Sequence, residues 1–187
     1  MTSPGNPPTP PAPSPVFRFH AMVKPAGANC NLNCTYCYYL HKNALLRQST
    51  RPRMSDEMLE KHIREYIAGQ TGDEVVFSWQ GGESTLLGLD FFRRVVELQQ
   101  RYRKAGQRIE NDLQTNGTLL NEEWAEFLKA HHFLVGLSCD GPARLHDRFR
   151  VTADGRPTHS QVVAAAKLLH DHQVPFNALC VVNRENA

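Results

Sequence analysis

Five short apolar runs, separated by stretches of helical periodicity, restrict this chain to an α/β fold built on a parallel sheet. The runs lie at 16–23, 75–77, 109–114, 133–137 and 175–182. A strand returns parallel to its neighbour only through a long crossover, and such crossovers are right-handed. The intervening segments are suited to that task. Ser55 can cap a helix over 54–69 whose first turn holds Asp56 and Glu57, with Met58, Leu59, Ile63, Tyr66 and Ile67 on one stripe. His62, beside that stripe, reads as a packed side chain rather than a ligand. Asp90 opens a second helix through Phe91, Phe92, Val95, Val96, Leu98 and Tyr102, which Gly106 ends. Asn121 caps a third around Trp124, Phe127 and Leu128, and Ser160 starts a fourth with Val162, Val163, Ala166 and Leu169 facing inward. Run 109–114 is the weaker strand, because Glu110, Asn111 and Asp112 interrupt it, whereas 133–137 is nearly all apolar, as expected when both sheet faces are covered. A barrel or partial barrel of the TIM type would gather the loops after the strands on one rim, where such folds carry their chemistry.

Composition narrows the function classes. A chain of 187 residues buries one core, and a net charge of +2 sets up no field to recruit nucleic acid. Arg47, Arg51 and Arg53 read as a solvated face. No apolar run approaches the roughly 18 residues that cross a bilayer, and no signal sequence opens the chain, so a cytoplasmic protein without a membrane partner is expected. Residues 1–15 are crowded with prolines, which deny the backbone both helix and sheet, and read as a disordered tail. Of five cysteines, Cys139 and Cys180 fall in apolar runs and read as inert buried thiols.

The other three are Cys30, Cys34 and Cys37, in the order C-x3-C-x2-C. Thiolates so close in one loop point to a metal centre: a [4Fe–4S] cluster with one iron left without a protein ligand, or a tetrahedral zinc completed by His41. Unligated thiols are the third option. Further polar groups fall at the ends of the other strands. Gly81-Gly82-Glu83 can expose backbone donors to a ligand, and Ser138 with Arg150 can hold a carboxylate, since a guanidinium presents a planar fork of donors. Asp140 and the His146-Asp147 pair can order that loop, an acid/base role being the weaker reading. Gln80, Gln114 and Asn116 can point into the barrel mouth.

The cysteine loop, with an aromatic residue before its last cysteine, resembles the cluster loop of the radical S-adenosylmethionine (SAM) enzymes. Lys24-Pro25-Ala26-Gly27, Cys37-Tyr38-Tyr39-Leu40, Trp79-Gln80-Gly81-Gly82-Glu83, Gln114-Thr115-Asn116-Gly117-Thr118 and Ser138-Cys139-Asp140-Gly141-Pro142 together resemble the anaerobic sulfatase-maturating branch. The resemblance implies a partial TIM-type (β/α)6 barrel, truncated here after about the fifth strand. Residues 16–187 would be the N-terminal part of the core domain, without the family's C-terminal auxiliary-cluster domain, and activity is expected of the longer protein. It also implies Cys30, Cys34 and Cys37 as ligands of a [4Fe–4S] cluster whose open iron chelates SAM. Tyr36 would lie by the adenine, Gly81, Gly82 and Glu83 at the methionyl ammonium, and Ser138 and Arg150 at the carboxylate, with Tyr38 and Tyr39 lining or packing nearby. Ser84 stands where the family usually has proline, which would loosen the turn slightly.

The implied chemistry is reductive cleavage of SAM, with the resulting 5′-deoxyadenosyl radical oxidising a cysteine or serine of a target sulfatase to formylglycine. A flavodoxin- or ferredoxin-type protein would donate the electron. The family's base lies outside the matching region, so no catalytic residue is assigned within this chain. Competing readings are another peptide-modifying radical SAM enzyme that forms thioether or carbon–carbon crosslinks, a noncatalytic Cys3His zinc module, and a poorly folding remnant.

Overall fold

The computed structural model describes residues 19–39 and 52–186. The proline-rich tail, His41, Arg47 and Arg51 lie outside the described residues. Strands β1 (Met22–Val23), β2 (Glu74–Trp79), β3 (Arg108–Thr115), β4 (Phe133–Ser138) and β5 (Phe176–Leu179) form one parallel sheet in chain order. Helices α1 (Asp56–Gly69), α2 (Leu89–Tyr102), α3 (Glu122–Ala130), α4 (Ala143–Phe149) and α5 (His159–Asp171) fill the connections. The α/β alternation read from the sequence is thus the fold. Among the described residues no helix is long and apolar enough to cross a membrane.

Because every step moves to the next strand in the same direction, right-handed crossovers lay the helices on one face of the sheet. Val75, Phe77 and Trp79 of β2 and Phe133, Val135 and Leu137 of β4 point to that face and join a core with Leu59, Ile63, Phe92, Leu98, Leu128 and Leu169. Among the described residues no helix covers the opposite face, contrary to the expectation from the apolar 133–137 run: Leu134 is 42% exposed. It borders a cavity of about 170 Å³ with Asp112, Gln114, Asn177 and Leu179.

The polar residues of β3 have partners on both faces. Asn111, on the helix face, accepts from Trp79 Nε1 and Gln99 Nε2, each at 2.8 Å, and donates to Gln99 Oε1 at 2.9 Å. Asp112, on the open face, accepts the Ser78 hydroxyl, and His20 Nε2 lies 2.7 Å from that Oγ. The interruption therefore weakens the hydrophobic signal without breaking the strand. Among the described residues of the expected first strand, Met22 and Val23 alone pair with β2. Just upstream, Phe19 O accepts from Gln70 Nε2 at 2.7 Å and the Ala21 N–H donates to Tyr66 Oη, so side chains serve this backbone in place of a ladder.

Two caps act as the sequence suggests: Ser55 Oγ accepts the Met58 N–H at 3.2 Å and Asn121 Oδ1 the Trp124 N–H at 3.0 Å. Replacing Asn121 by alanine is expected to cost about 1 kcal/mol, read as a lower denaturant midpoint at unchanged slope. Several side chains differ from expectation. Met58 and Val163 are 52% and 48% exposed, one position off their buried stripes, and Cys180 is exposed while Cys139 is half-buried. His62 packs as expected, stacked on Tyr66 at 5.7 Å. Arg53 donates to Leu87 O at 3.1 Å and lies over the Phe91 ring, a structural role for that member of the basic patch.

Candidate active site

The cysteine loop leaves β1 through a turn at Lys24–Gly27, closed by the Gly27 N–H on Lys24 O at 2.9 Å. Two segments then brace it. On one side Asn33 and Thr35 donate their N–H groups to Val151 O and Phe149 O, at 2.8 and 2.9 Å, and Leu32 bridges to Thr152. On the other, the loop after β2 docks backbone to backbone: Gly82 N–H donates to Gly27 O at 2.9 Å and Glu83 N–H to Asn29 O at 2.7 Å. A Cβ on Gly82 would stand 2.0 Å from Asn29 O. The glycine thus serves a close approach, as its residue type suggests, but the neighbour is the cysteine loop. The N–H groups of Gly82 and Glu83 hold that loop instead of facing a ligand. Ser84, far from loosening the turn, is buried and donates its hydroxyl to Gln80 O at 2.9 Å.

All three loop thiols open onto a cavity of about 320 Å³, and the six other residues tied above to the cofactor, from Tyr36 to Arg150, line it too. Burial pushes the Cys30 thiol up to about 11, with Glu83 and the neighbouring sulfurs adding to the rise. Burial also raises Cys34, against the pull of Arg150. A metal entering here must displace those protons. Among the described residues no three His, Cys, Asp or Glu side chains converge tightly enough for a single ion. Three half-buried thiols lining one cavity are the donor type that an iron–sulfur cluster and zinc both take. Tyr38 is 70% exposed, and Tyr39 lies under the Lys24 ammonium at 4.9 Å.

Glu83 is buried, yet every donor it meets comes from its own loop or from the end of β3. Its Oε1 accepts from Thr85 N and Oγ1 at 3.2 and 2.6 Å and from Thr115 Oγ1 at 2.8 Å, and Oε2 takes the Asn116 N–H at 2.7 Å. Burial raises its pKa, and these four bonds oppose the rise. Glu83→Gln turns an amide NH2 toward donors it cannot accept, and about 1–3 kcal/mol of stability is expected to go with it, measured by chemical denaturation. Asn116 extends the join: its Nδ2 donates to Asn31 Oδ1 at 2.9 Å and lies 3.8 Å from Cys30 Sγ, while Asn31 Nδ2 donates to Thr118 Oγ1 at 2.8 Å. Sequence reasoning passed over Asn31, whose only signal was its place beside a cysteine.

Opposite the thiols, β4 ends at buried Ser138, and two residues on stands Asp140. Its carboxylate accepts the Tyr36 hydroxyl, Arg150 Nε at 3.0 Å and Nη2 at 3.3 Å, and the Val181 N–H at 3.0 Å. Burial would raise its pKa, but the bonds from Arg150 and Tyr36 outweigh it and hold the carboxyl below its usual range. Burial and that same bond push the Tyr36 phenol well up. The Arg150 guanidinium lies over the Tyr36 ring at 5.5 Å.

Behind this cluster sits His146, fully buried on α4. The Asp140 N–H points at its Nδ1, 3.3 Å away, so Nδ1 accepts and the ring proton sits on Nε2, facing Thr158 Oγ1 at 3.1 Å. Thr158 in turn donates its hydroxyl to Arg150 O at 2.7 Å, and Asp147 Oδ1 takes the N–H groups of Thr158 and His159. His146 and Asp147 therefore order the loop, and the acid/base reading falls away. Burial, helped by Arg150, lowers the His146 pKa. The unfolded chain then takes up this proton first, so the contribution is complete above about pH 6.5 and declines as pH falls below it. The stability cost of His146→Gln is expected to shrink between pH 7.5 and 5.5, read from denaturation midpoints of both proteins; His62 and His131 also shift downward but cancel in the difference.

A family model described as the radical SAM superfamily matches residues 25–187. The chain belongs to the radical SAM superfamily. Within this superfamily it is 48% identical over 168 residues to a serine-type anaerobic sulfatase-maturating enzyme of Bacteroides thetaiotaomicron, covering 90% of this chain and 40% of that protein. To a cysteine-type anaerobic sulfatase-maturating enzyme of Clostridium perfringens it is 42% identical over 166 residues, covering 89% and 45%. A solved structure described as native anSMEcpe with bound AdoMet and Cp18Cys peptide superposes with a TM-score of 0.78 at 43% identity, over 86% of this chain and 42% of that one. The chain spans less than half the length of these relatives.

Proposed function

We propose that this chain is the cofactor-holding part of a radical SAM enzyme that oxidises a cysteine or serine of a sulfatase polypeptide to formylglycine. The observation that carries the reading is the meeting of Cys30, Cys34 and Cys37 with Glu83, Ser138 and Arg150 around one cavity. Cys30, Cys34 and Cys37 would ligate a [4Fe–4S] cluster, and a donor set of three thiolates leaves one iron for SAM. When bound, cluster and SAM supply the one-electron cleavage that starts hydrogen abstraction at the substrate Cβ.

The protein's own part is to bind and orient. Asp140 takes Nε and Nη2 of Arg150 and leaves Nη1 uncommitted to it, and Arg150 and Ser138 both line the cavity, a donor pair that suits a carboxylate. Gly81 and Gly82 let the loop after β2 dock against the backbone of the cysteine loop, and Glu83 pins it to the end of β3. Likeness at 48% and 42% identity to serine-type and cysteine-type maturating enzymes supports the substrate class. The electron donor we infer is a flavodoxin- or ferredoxin-type protein, and the reducing cytoplasm, which keeps thiols free for metal, is the fitting compartment.

The test is anaerobic reconstitution with iron and sulfide, followed by addition of SAM and, for the longer protein, a sulfatase peptide. About four irons per chain and a reduced-state paramagnetic signal altered by SAM are expected, with an aldehyde at the target residue. One zinc in a colourless protein would overturn the cluster, and an internal crosslink in the peptide would move the assignment to another peptide-modifying enzyme.

A further inference from the structure

We infer that Asp140 is the positioning residue that makes the site selective for the carboxylate of its cofactor, by fixing which edge of Arg150 faces the cavity. The inference rests on the reading of Arg150 given above and adds a residue that carries none of the contact itself. An ionised carboxylate offers about four acceptor positions. At Asp140 four donors take them: the Tyr36 hydroxyl, two nitrogens of Arg150, and the Val181 N–H. Saturated in this way, and with a side chain 0% exposed, Asp140 is neither a free base nor a ligand.

What it does is set angles. A guanidinium is planar, so once Nε and Nη2 face Asp140, the direction of Nη1 follows. The Tyr36 ring beneath the guanidinium restricts the remaining tilt. Three parts of the chain meet at this carboxylate: the cysteine loop through Tyr36, the end of α4 through Arg150, and the segment after β5 through Val181. The parallel ladder brings the last of these into reach, since Ser138 pairs with Leu179 and the Cys139 N–H continues the pattern onto Leu179 O at 3.0 Å. Tyr36 thereby has a second task besides lying near the cofactor, and its hydroxyl is the part that performs it.

The experiment is equilibrium binding, without turnover, of SAM and of decarboxylated SAM to the anaerobically reconstituted protein and its variants. Asp140→Asn puts an amide NH2 where one of the two Arg150 nitrogens donates and removes the charge that faces the guanidinium. It is expected to weaken SAM about tenfold or more while the decarboxylated analogue changes by less than about twofold, because a charge-assisted bond is lost only where a carboxylate is present. Equal weakening of both ligands, or no weakening of either, would overturn the inference.

Arg150→Ala separates the two layers of argument. If it leaves the ratio of SAM to analogue affinity unchanged, the carboxylate role of Arg150 is wrong; if it narrows that ratio while Asp140→Asn does not, only the role of Asp140 is wrong. Should Asp140→Asn fail to retain iron, Asp140→Glu, which keeps the carboxylate but displaces it by one methylene, tests the same residue. A selective loss of SAM relative to the analogue is expected, and an unchanged ratio of the two affinities would overturn the inference.

Discussion

Reconstituted without oxygen, Cys34→Ala is expected to hold a small fraction of the roughly four irons per chain expected of the unaltered protein, and to lack the visible absorption of the cluster. The argument is one of donor number. Three thiols line one cavity, and removing the middle sulfur leaves two ligands where a cluster with one open iron needs three. Cys180→Ala is the control: Cys180 is exposed at the end of β5 and is not among the cavity-lining residues, so its removal is expected to leave iron content unchanged. Iron lost equally from both variants would mean that the ligand set has been misassigned.

Gly82→Ala is expected to be nearly as damaging although it removes nothing. The added methyl would lie 2.0 Å from Asn29 O, 2.5 Å from Asn29 C and 2.6 Å from Ala28 C, all of them backbone atoms that cannot swing aside. Either the loop after β2 or the cysteine loop must move, breaking the two bonds that join Gly82 and Glu83 to Gly27 and Asn29. A cost of about 3 kcal/mol or more is expected, at the upper end for an added methylene, together with poor iron uptake. Gly155→Ala is the comparison, with φ +79° and nothing within 4 Å of its new Cβ. It should cost only about 1–2 kcal/mol from its backbone conformation, with iron uptake intact. If the two variants unfold alike, the close approach at Gly82 is not what the structure depicts.

These residues also mark how far a linear reading reaches. Ser55 and Asn121 were legible because a cap acts on a neighbour three residues away. The strands and the cysteine loop were legible because their period and spacing are local. Helix α4 was not: Ala143–Phe149 has no apolar stripe, and its fully buried residue is His146, held by Asp140 and Thr158. The role of Asp140 was hidden for the same reason, since two of its donors come from 104 and 41 residues away. Ser138 and Arg150 could be named from a resemblance, but the carboxylate that aims Arg150 belongs to a network only the fold assembles. Met58 and Val163 show the opposite error, in which a correct helical period leaves the edge of the stripe to whichever neighbour packs there.

A sheet whose spatial order is its chain order can grow strand by strand as the polypeptide is made, yet its cysteine loop does not follow that schedule. One brace on the loop comes from residues 82–83, but the other comes from Phe149 and Val151. At ribosomal speeds of about 5–20 residues per second, on the order of ten seconds separates the emergence of Cys37 from that of its last support. During that interval three thiols are present without the frame that spaces them. Loading of the metal centre is therefore expected to follow closure of the β4–α4 segment, and a nascent chain stalled before Phe149 should take up iron poorly however long it waits.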